Sequence, residues 1–160
     1  RGVSTTAILL GKTRLYEFAD NNKKLKLRPS WHTHSGDVHL LKNFVSINSA
    51  LEVDLTGQVG AEELNGVPVS AIGGQPDLVR AAHRSDGGHA IIALPSSAKH
   101  GKFSRIVSKL SGPVTTARSD VDVIVTENGA ADLRGKDLGQ RRQALISIAA
   151  PNFQEDLMKI

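Results

Sequence analysis

The chain has 160 residues, a length that fits one domain, and 39% of them are hydrophobic, enough to build a core. Cysteine is absent, which excludes a disulfide framework, a thiolate metal site and a cysteine nucleophile; no apolar run approaches the ~20 residues of a membrane span. The net charge is +4 and the pI about 9.6, but the basic residues are scattered and aromatics are 4%, which argues against nucleic acid and leaves a diffuse field suited to a small anionic ligand.

In chain order, the apolar run from Thr5 to Leu10 predicts a buried strand, and Gly11 breaks it. Thr13 to Asn21 reads as a helix with Leu15, Phe18 and Ala19 on one face. Lys23 to Lys42, with Pro29 and Gly36, reads as an extended loop. Phe44 to Asn48 and Leu51 to Leu55 read as strands, their polar residues Ser46, Asn48, Glu52 and Asp54 facing a cleft or solvent. Asn65-Gly66 signals a hairpin. Pro76 to His83 predicts a helix opening behind the Gly73-Gly74 pair. Ala90 to Leu94 is a buried strand. Phe103 to Leu110, Val114 to Ala117 and Asp122 to Thr126 are further strands. Asp137 to Ala149, with Leu138, Ala144, Leu145 and Ile148 inward, and Asn152 to Ile160 are closing helices. The alternation predicts an α/β fold: a mixed sheet flanked by helices.

Three short stretches can carry chemistry. Gly73-Gly74-Gln75-Pro76-Asp77 joins a strand to a helix, where free N–H groups and the helix dipole can hold a phosphate or an oxyanion. Otherwise it is simply a tight turn. Pro95-Ser96-Ser97-Ala98-Lys99 and Thr126-Glu127-Asn128-Gly129 each follow a strand, at the carboxyl edge where α/β sheets gather ligands. Glu127 there is either a nucleophile or a local hydrogen-bonding group. His32 and His34, with His39 and His83 elsewhere, lack the partners of a metal site, and no metal is expected. The G-x-S-x-G elbow of a serine hydrolase is absent.

Several long motifs, in one order, resemble the acetyl-CoA hydrolase/transferase family, to which 4-hydroxybutyrate CoA-transferases belong. They are Phe44 to Val59 (FVSINSALEVDLTGQV), Ile72-Gly73-Gly74-Gln75 with Asp77, Ile91 to Lys99 (IIALPSSAK), Asp120 to Gly129, Ala131 to Lys136, and Arg141 to Ala149 followed by Pro151 and Phe153. The resemblance is weakest from Arg28 to Lys42. Pro76, Leu78, Ala150 and Asn152 depart from the commoner pattern.

The resemblance implies a class I CoA-transferase-like domain, with 1–160 as a single C-terminal domain. It implies that the N-terminal domain, and with it the family's nucleophilic glutamate, lies upstream of these residues. The chain starting at Arg1 rather than Met suits a piece of a longer protein. The implied reaction moves CoA between an acyl-CoA and a small carboxylate such as acetate, succinate or 4-hydroxybutyrate through a glutamyl-CoA thioester. Water as acceptor would make it an acetyl-CoA hydrolase. By the same likeness Gly74, with Gly73, supplies oxyanion N–H groups, while Asn48, Gln75, Asp77, Ser96 and Lys99 bind CoA or the carboxylate. Thr126-Glu127-Asn128-Gly129 also resembles the Ser-Glu-Asn-Gly motif of another CoA-transferase subfamily, whose glutamate is the nucleophile. Expected partners are the N-terminal domain and further copies in a homo-oligomer, but neither nucleic acid nor membrane. The expected compartment is cytoplasmic, or mitochondrial in a eukaryote. The alternatives are a non-catalytic nucleotide- or phosphate-binding module and a structural remnant.

Overall fold

A computed structural model describes residues 2–34 and 36–160. The fold is α/β, as the alternation predicted. Its centre is a four-stranded sheet built from β3 (Val45–Asn48), β8 (His89–Ala93), β12 (Val123–Thr126) and β13 (Gly129–Asp132), in the order β13-β12-β8-β3. The first three run parallel, and β13 returns antiparallel through the turn at Glu127-Asn128. Between β3 and β8 the chain forms β4 (Glu52–Asp54), β5 (Val59–Gly60), the hairpin β6 (Glu63–Leu64) and β7 (Val67–Pro68), and the helix α3 (Gln75–Arg84). After β8 come β9 (Ser97–Ala98), β10 (Phe103–Ser104) and β11 (Ile106–Val107). Helices α4 (Leu138–Ser147) and α5 (Pro151–Met158) close the fold.

Pairing sets which side chains share a face. Ser46 lies opposite Ala90, and Ile92 opposite Ile124; all four are buried. This inner face, with Val79 and Ala82 of α3 and Leu145 and Ile146 of α4, makes the core. β3 therefore turns its serine inward and leaves Val45 and Ile47 exposed on the other face. The polar set read as facing a cleft or solvent is instead largely buried and paired. Glu52 accepts from the Ser111 N–H and hydroxyl, both at 2.9 Å. One oxygen of Asp54 accepts from Thr56 N–H at 2.8 Å, Thr56 Oγ1 at 2.7 Å and Gln58 N–H at 3.0 Å. Hydrogen bonds to each carboxylate, local for Asp54 and from distant Ser111 for Glu52, explain why acids are tolerated there.

The Asn65-Gly66 hairpin is present, both residues having positive φ. Elsewhere the structure corrects the reading. The first strand is β1 (Ser4–Thr6) and ends early, because Thr6 Oγ1 donates to Ile8 O at 2.7 Å and accepts from Ile8 N–H, making a local turn. Ile8 and Leu10 are exposed. The first helix, α1 (Thr13–Ala19), stops before Asn21, where Asn22 takes the Phe18 carbonyl with its side chain and Asn21 adopts positive φ. The expected loop from 23 to 42 holds β2 (Leu25–Leu27), α2 (Ser30–Thr33) and a 3₁₀ turn at Gly36–Leu40; β2 pairs parallel with β1. The strand expected from Phe103 to Leu110 is split. Arg105 N–H donates to Ser96 O, and the chain leaves β9 to pair with β4 as β11. Val114 to Ala117 forms only a bridge between Thr116 and Val59, since Thr115 and Thr116 both donate to the Val59 carbonyl. Leu138, at the first turn of α4, points out and is 54% exposed.

Candidate active site

Three parallel strands end on one edge. At that edge stand Asn48, the last residue of β3, Ser96 after β8 and Glu127 after β12, where strand ends leave room for a ligand. Two of these residues are joined. Both Glu127 oxygens accept from Ser96, one from its N–H at 2.8 Å and the other from its hydroxyl at 2.5 Å. Ser96 is buried while Glu127 is exposed. The Ser96 hydroxyl, then its N–H, hold the Glu127 carboxyl below its ordinary range. Asn48 is half-buried and donates from its side-chain nitrogen to Ser46 Oγ at 2.7 Å.

The glycine pair leads into α3 as the sequence suggests. Gly73 has φ 59°, the left-handed region, and a Cβ there would meet only the Ala71 carbonyl at 3.9 Å. Gly74 is the residue before the helix, with φ -92°. No acceptor among the described residues takes the N–H of either glycine. These donors and the end of the helix dipole make a local positive field. Gly74 is also pressed from one side: a Cβ there would overlap the imidazole of His34. His34 is fixed in turn, its Nδ1 lying 3.0 Å from both Ser30 O and Thr33 Oγ1.

A groove of about 390 Å³ lies between the residues after β3 and the segment before α3, lined by Ser49, Ala50, Leu51, Ala61, Val69, Ser70, Ala71 and Gln75. Gln75 is anchored by its side-chain nitrogen, which donates to the buried Thr116 Oγ1 at 3.1 Å. Ser70 and Ala71 on one side of the glycine pair and Gln75 on the other thus line one wall of the groove. Ser49, Ser70 and Gln75 give the groove a largely polar lining, with Ala50, Leu51, Ala61, Val69 and Ala71 between them, which suits the polar end of a small carboxylate or thioester.

Not every candidate comes to this groove. Asp77 lines a separate hollow of about 220 Å³ with His34, Arg80, Ala81 and Arg84. Lys99 sits in the β9–β10 turn, its ammonium 5.5 Å from the centre of the Phe103 ring. Lys99, His100 and Gly101 have φ of 48°, 58° and 80°, a run that only a tightly held turn sustains in non-glycine residues. Among the described residues no cluster of His, Asp and Glu is arranged to hold a metal. Sequence reasoning missed Thr116 and the role of His34 against Gly74. Thr116 showed only as part of the strand read from Val114 to Ala117, and nothing local ties a histidine to a glycine forty residues on.

Comparison with known proteins bears on this geometry. Residues 11–160 match the model of the acetyl-CoA hydrolase/transferase C-terminal domain. The 4-hydroxybutyrate coenzyme A transferase of Clostridium kluyveri is 45% identical over 98% of this chain, and the alignment covers 37% of that protein. The succinyl-CoA:cyclohexane-1-carboxylate CoA transferase of Geobacter metallireducens is 42% identical, again over 98% of this chain and 36% of its own length. The crystal structure of RipA from Yersinia pestis superposes with a TM-score of 0.90 at 39% identity, covering 99% of this chain and 36% of that one. The chain thus spans little more than a third of the relatives it matches. Across nearly its whole length, it belongs to the acetyl-CoA hydrolase/transferase C-terminal domain family.

Proposed function

We propose that this chain is the C-terminal domain of a CoA-transferase that moves CoA between an acyl-CoA and a small carboxylate such as acetate, succinate or 4-hydroxybutyrate. The carrying observation is the groove lined by Ser70, Ala71 and Gln75, the residues that flank the glycine pair at the start of α3. The homology to CoA-transferases supports the reaction class.

In this reading an upstream domain contributes a glutamate. Its carboxylate attacks the thioester carbonyl, and CoA leaves as thiolate, giving an acyl-glutamyl anhydride. The thiolate then attacks the glutamyl carbonyl and releases the acyl group as carboxylate, leaving glutamyl-CoA. The acceptor carboxylate reverses both steps. Each addition puts negative charge on a carbonyl oxygen, which the N–H groups of Gly74 and Gly73 would receive. Asn48 orients the carboxylate, while Gln75, with its amide oxygen unengaged, faces the groove. Ser96 and Lys99 serve the CoA side, and Asp77, in the first turn of α3, serves it from the neighbouring hollow. Glu127 is the anchor of the Ser96 loop rather than the nucleophile, since both its oxygens are engaged by Ser96. Water as acceptor would turn the same site into a hydrolase. The described residues contain no helix long and apolar enough to cross a membrane. We place the protein in the cytoplasm, or in mitochondria if its source is eukaryotic, as a homo-oligomer.

The test is thiol release from acetyl-CoA, with and without acetate and succinate, followed by intact mass. The 160-residue chain should show neither release nor adduct. The protein extended upstream should show both, with release driven by carboxylate. Turnover and an adduct on the 160-residue chain alone would place the nucleophile within it and overturn the reading, with Glu127 the first position to substitute.

A further inference from the structure

We propose that β1, α1 and β2 are the last β–α–β unit of a second parallel sheet, and that a strand from the upstream part of the same protein pairs along the outer edge of β1. This rests on an upstream domain existing but not on its chemistry.

The unit does not belong to the core of this chain. The two strands pair parallel over three residues each, apart from every other sheet. A parallel pair needs a crossover between its strands, here α1, and parallel sheets persist where both faces are covered. Two short strands alone are marginal in water. Yet α1 buries no residue, and the apolar cluster of the fold draws nothing from the described residues before Phe44. Leu10 is 78% exposed, Phe18 62%, Leu27 58% and the sole tryptophan, Trp31, 73%. So many large apolar side chains on so small a unit mark a face that something covers.

The backbone says what covers it. Ser4 N–H donates to Lys24 O at 2.7 Å, and Thr6 O accepts from Arg28 N–H at 2.9 Å, so Ser4 and Thr6 turn their peptide groups to β2. Alternate strand residues point opposite ways, and Val3 and Thr5 therefore present theirs on the far edge of β1. An open edge of this kind pairs with another strand. Strands that follow one another in sequence lie side by side in most sheets, and a crossover through α1 already leads from β1 to its parallel neighbour β2. The natural neighbour of β1 is thus the strand before it. The relatives have that chain to offer, since the matched region is 36–37% of their length. The unit also leads directly into α2 and His34, whose ring rests against Gly74. Docking of the second sheet would steady the glycine loop from that side.

Hydrogen–deuterium exchange tests this without substrate, and so separately from the proposed reaction. It is run on the 160-residue chain and on the protein extended by the residues upstream. In the 160-residue chain, amides of residues 4–27 should exchange within about tenfold of unprotected rates, while β8 and β12 are slowed by about a thousandfold or more. In the extended protein, residues 4–6 should gain about a hundredfold or more in protection. Core-like protection of 4–27 in the 160-residue chain would overturn the proposal. So would extension without added protection, or protection that rises with concentration of the 160-residue chain alone, which would make a second copy the occupant.

Discussion

A backbone φ of -92° is open to any residue, so the demand for glycine at position 74 comes from its neighbour, the imidazole of His34. Alanine at 74 should cost about 1–3 kcal/mol, the usual range for overpacking, because the ring must move. His34→Ala removes the obstacle, and the double variant should regain most of that stability in urea melts. If alanine at 74 proves equally costly with and without His34, the contact is not what glycine serves. Glu127 is governed by a different force. Its carboxyl is held below the ordinary range mainly by the Ser96 hydroxyl, so the folded state favours the charged form. A lowered folded pKa contributes stability that is fully present above the unfolded value and is lost as pH falls through the folded one. Wild type should therefore lose its advantage over Glu127→Gln between the ordinary carboxylate range and more acid pH. Urea midpoints of the two proteins, taken from about pH 7 to about pH 2, check this; a gap that stays constant would exclude the linkage.

α4 begins with a reciprocal cap. Asp137 accepts from Gln140 N–H at 2.8 Å, and Gln140 Oε1 accepts from Asp137 N–H at 3.0 Å. Asp137→Ala should cost about 1 kcal/mol in chemical denaturation, with the slope of the transition unchanged. This helix was legible because its start signal and its apolar spacing lie within one short stretch. The same holds for β8, β12, α3, α5 and the Asn65-Gly66 hairpin. The elements that escaped are those fixed by distant partners. β2 exists because β1 lies beside it. Residues 103–107 split because Arg105 turns the chain from β9 to β4. β13 escaped because its Gly-Ala-Ala-Asp carries no strand signature and is held by pairing with β12. The candidate site divides in the same way. The glycine loop and the residues past the strand ends could be read locally. The joining of Ser96 to Glu127, of Gln75 to Thr116 and of His34 to Gly74 could not, since each spans thirty or more residues.

The apolar core begins near β4 and runs to α5, with contributions from Val53 through Leu157 and with Phe44 packed at its margin. The strands of the central sheet and the helices against them thus stand or fall as one cooperative unit. Residues 4–27 lie outside it, although they are equally regular in secondary structure. Stability should then be distributed unevenly, and paired truncations can measure the difference. Ile124 is fully buried at the centre of the sheet, so Ile124→Ala removes packed surface and leaves a cavity, at about 2–5 kcal/mol. Leu27 is 58% exposed on β2, and Leu27→Ala in the 160-residue chain should change global stability by less than about 0.5 kcal/mol. Urea melts followed by circular dichroism give both values. Equal losses at the two positions would mean that β2 unfolds together with the central sheet, and that its exposed leucine contributes to the core through contacts this fold does not contain.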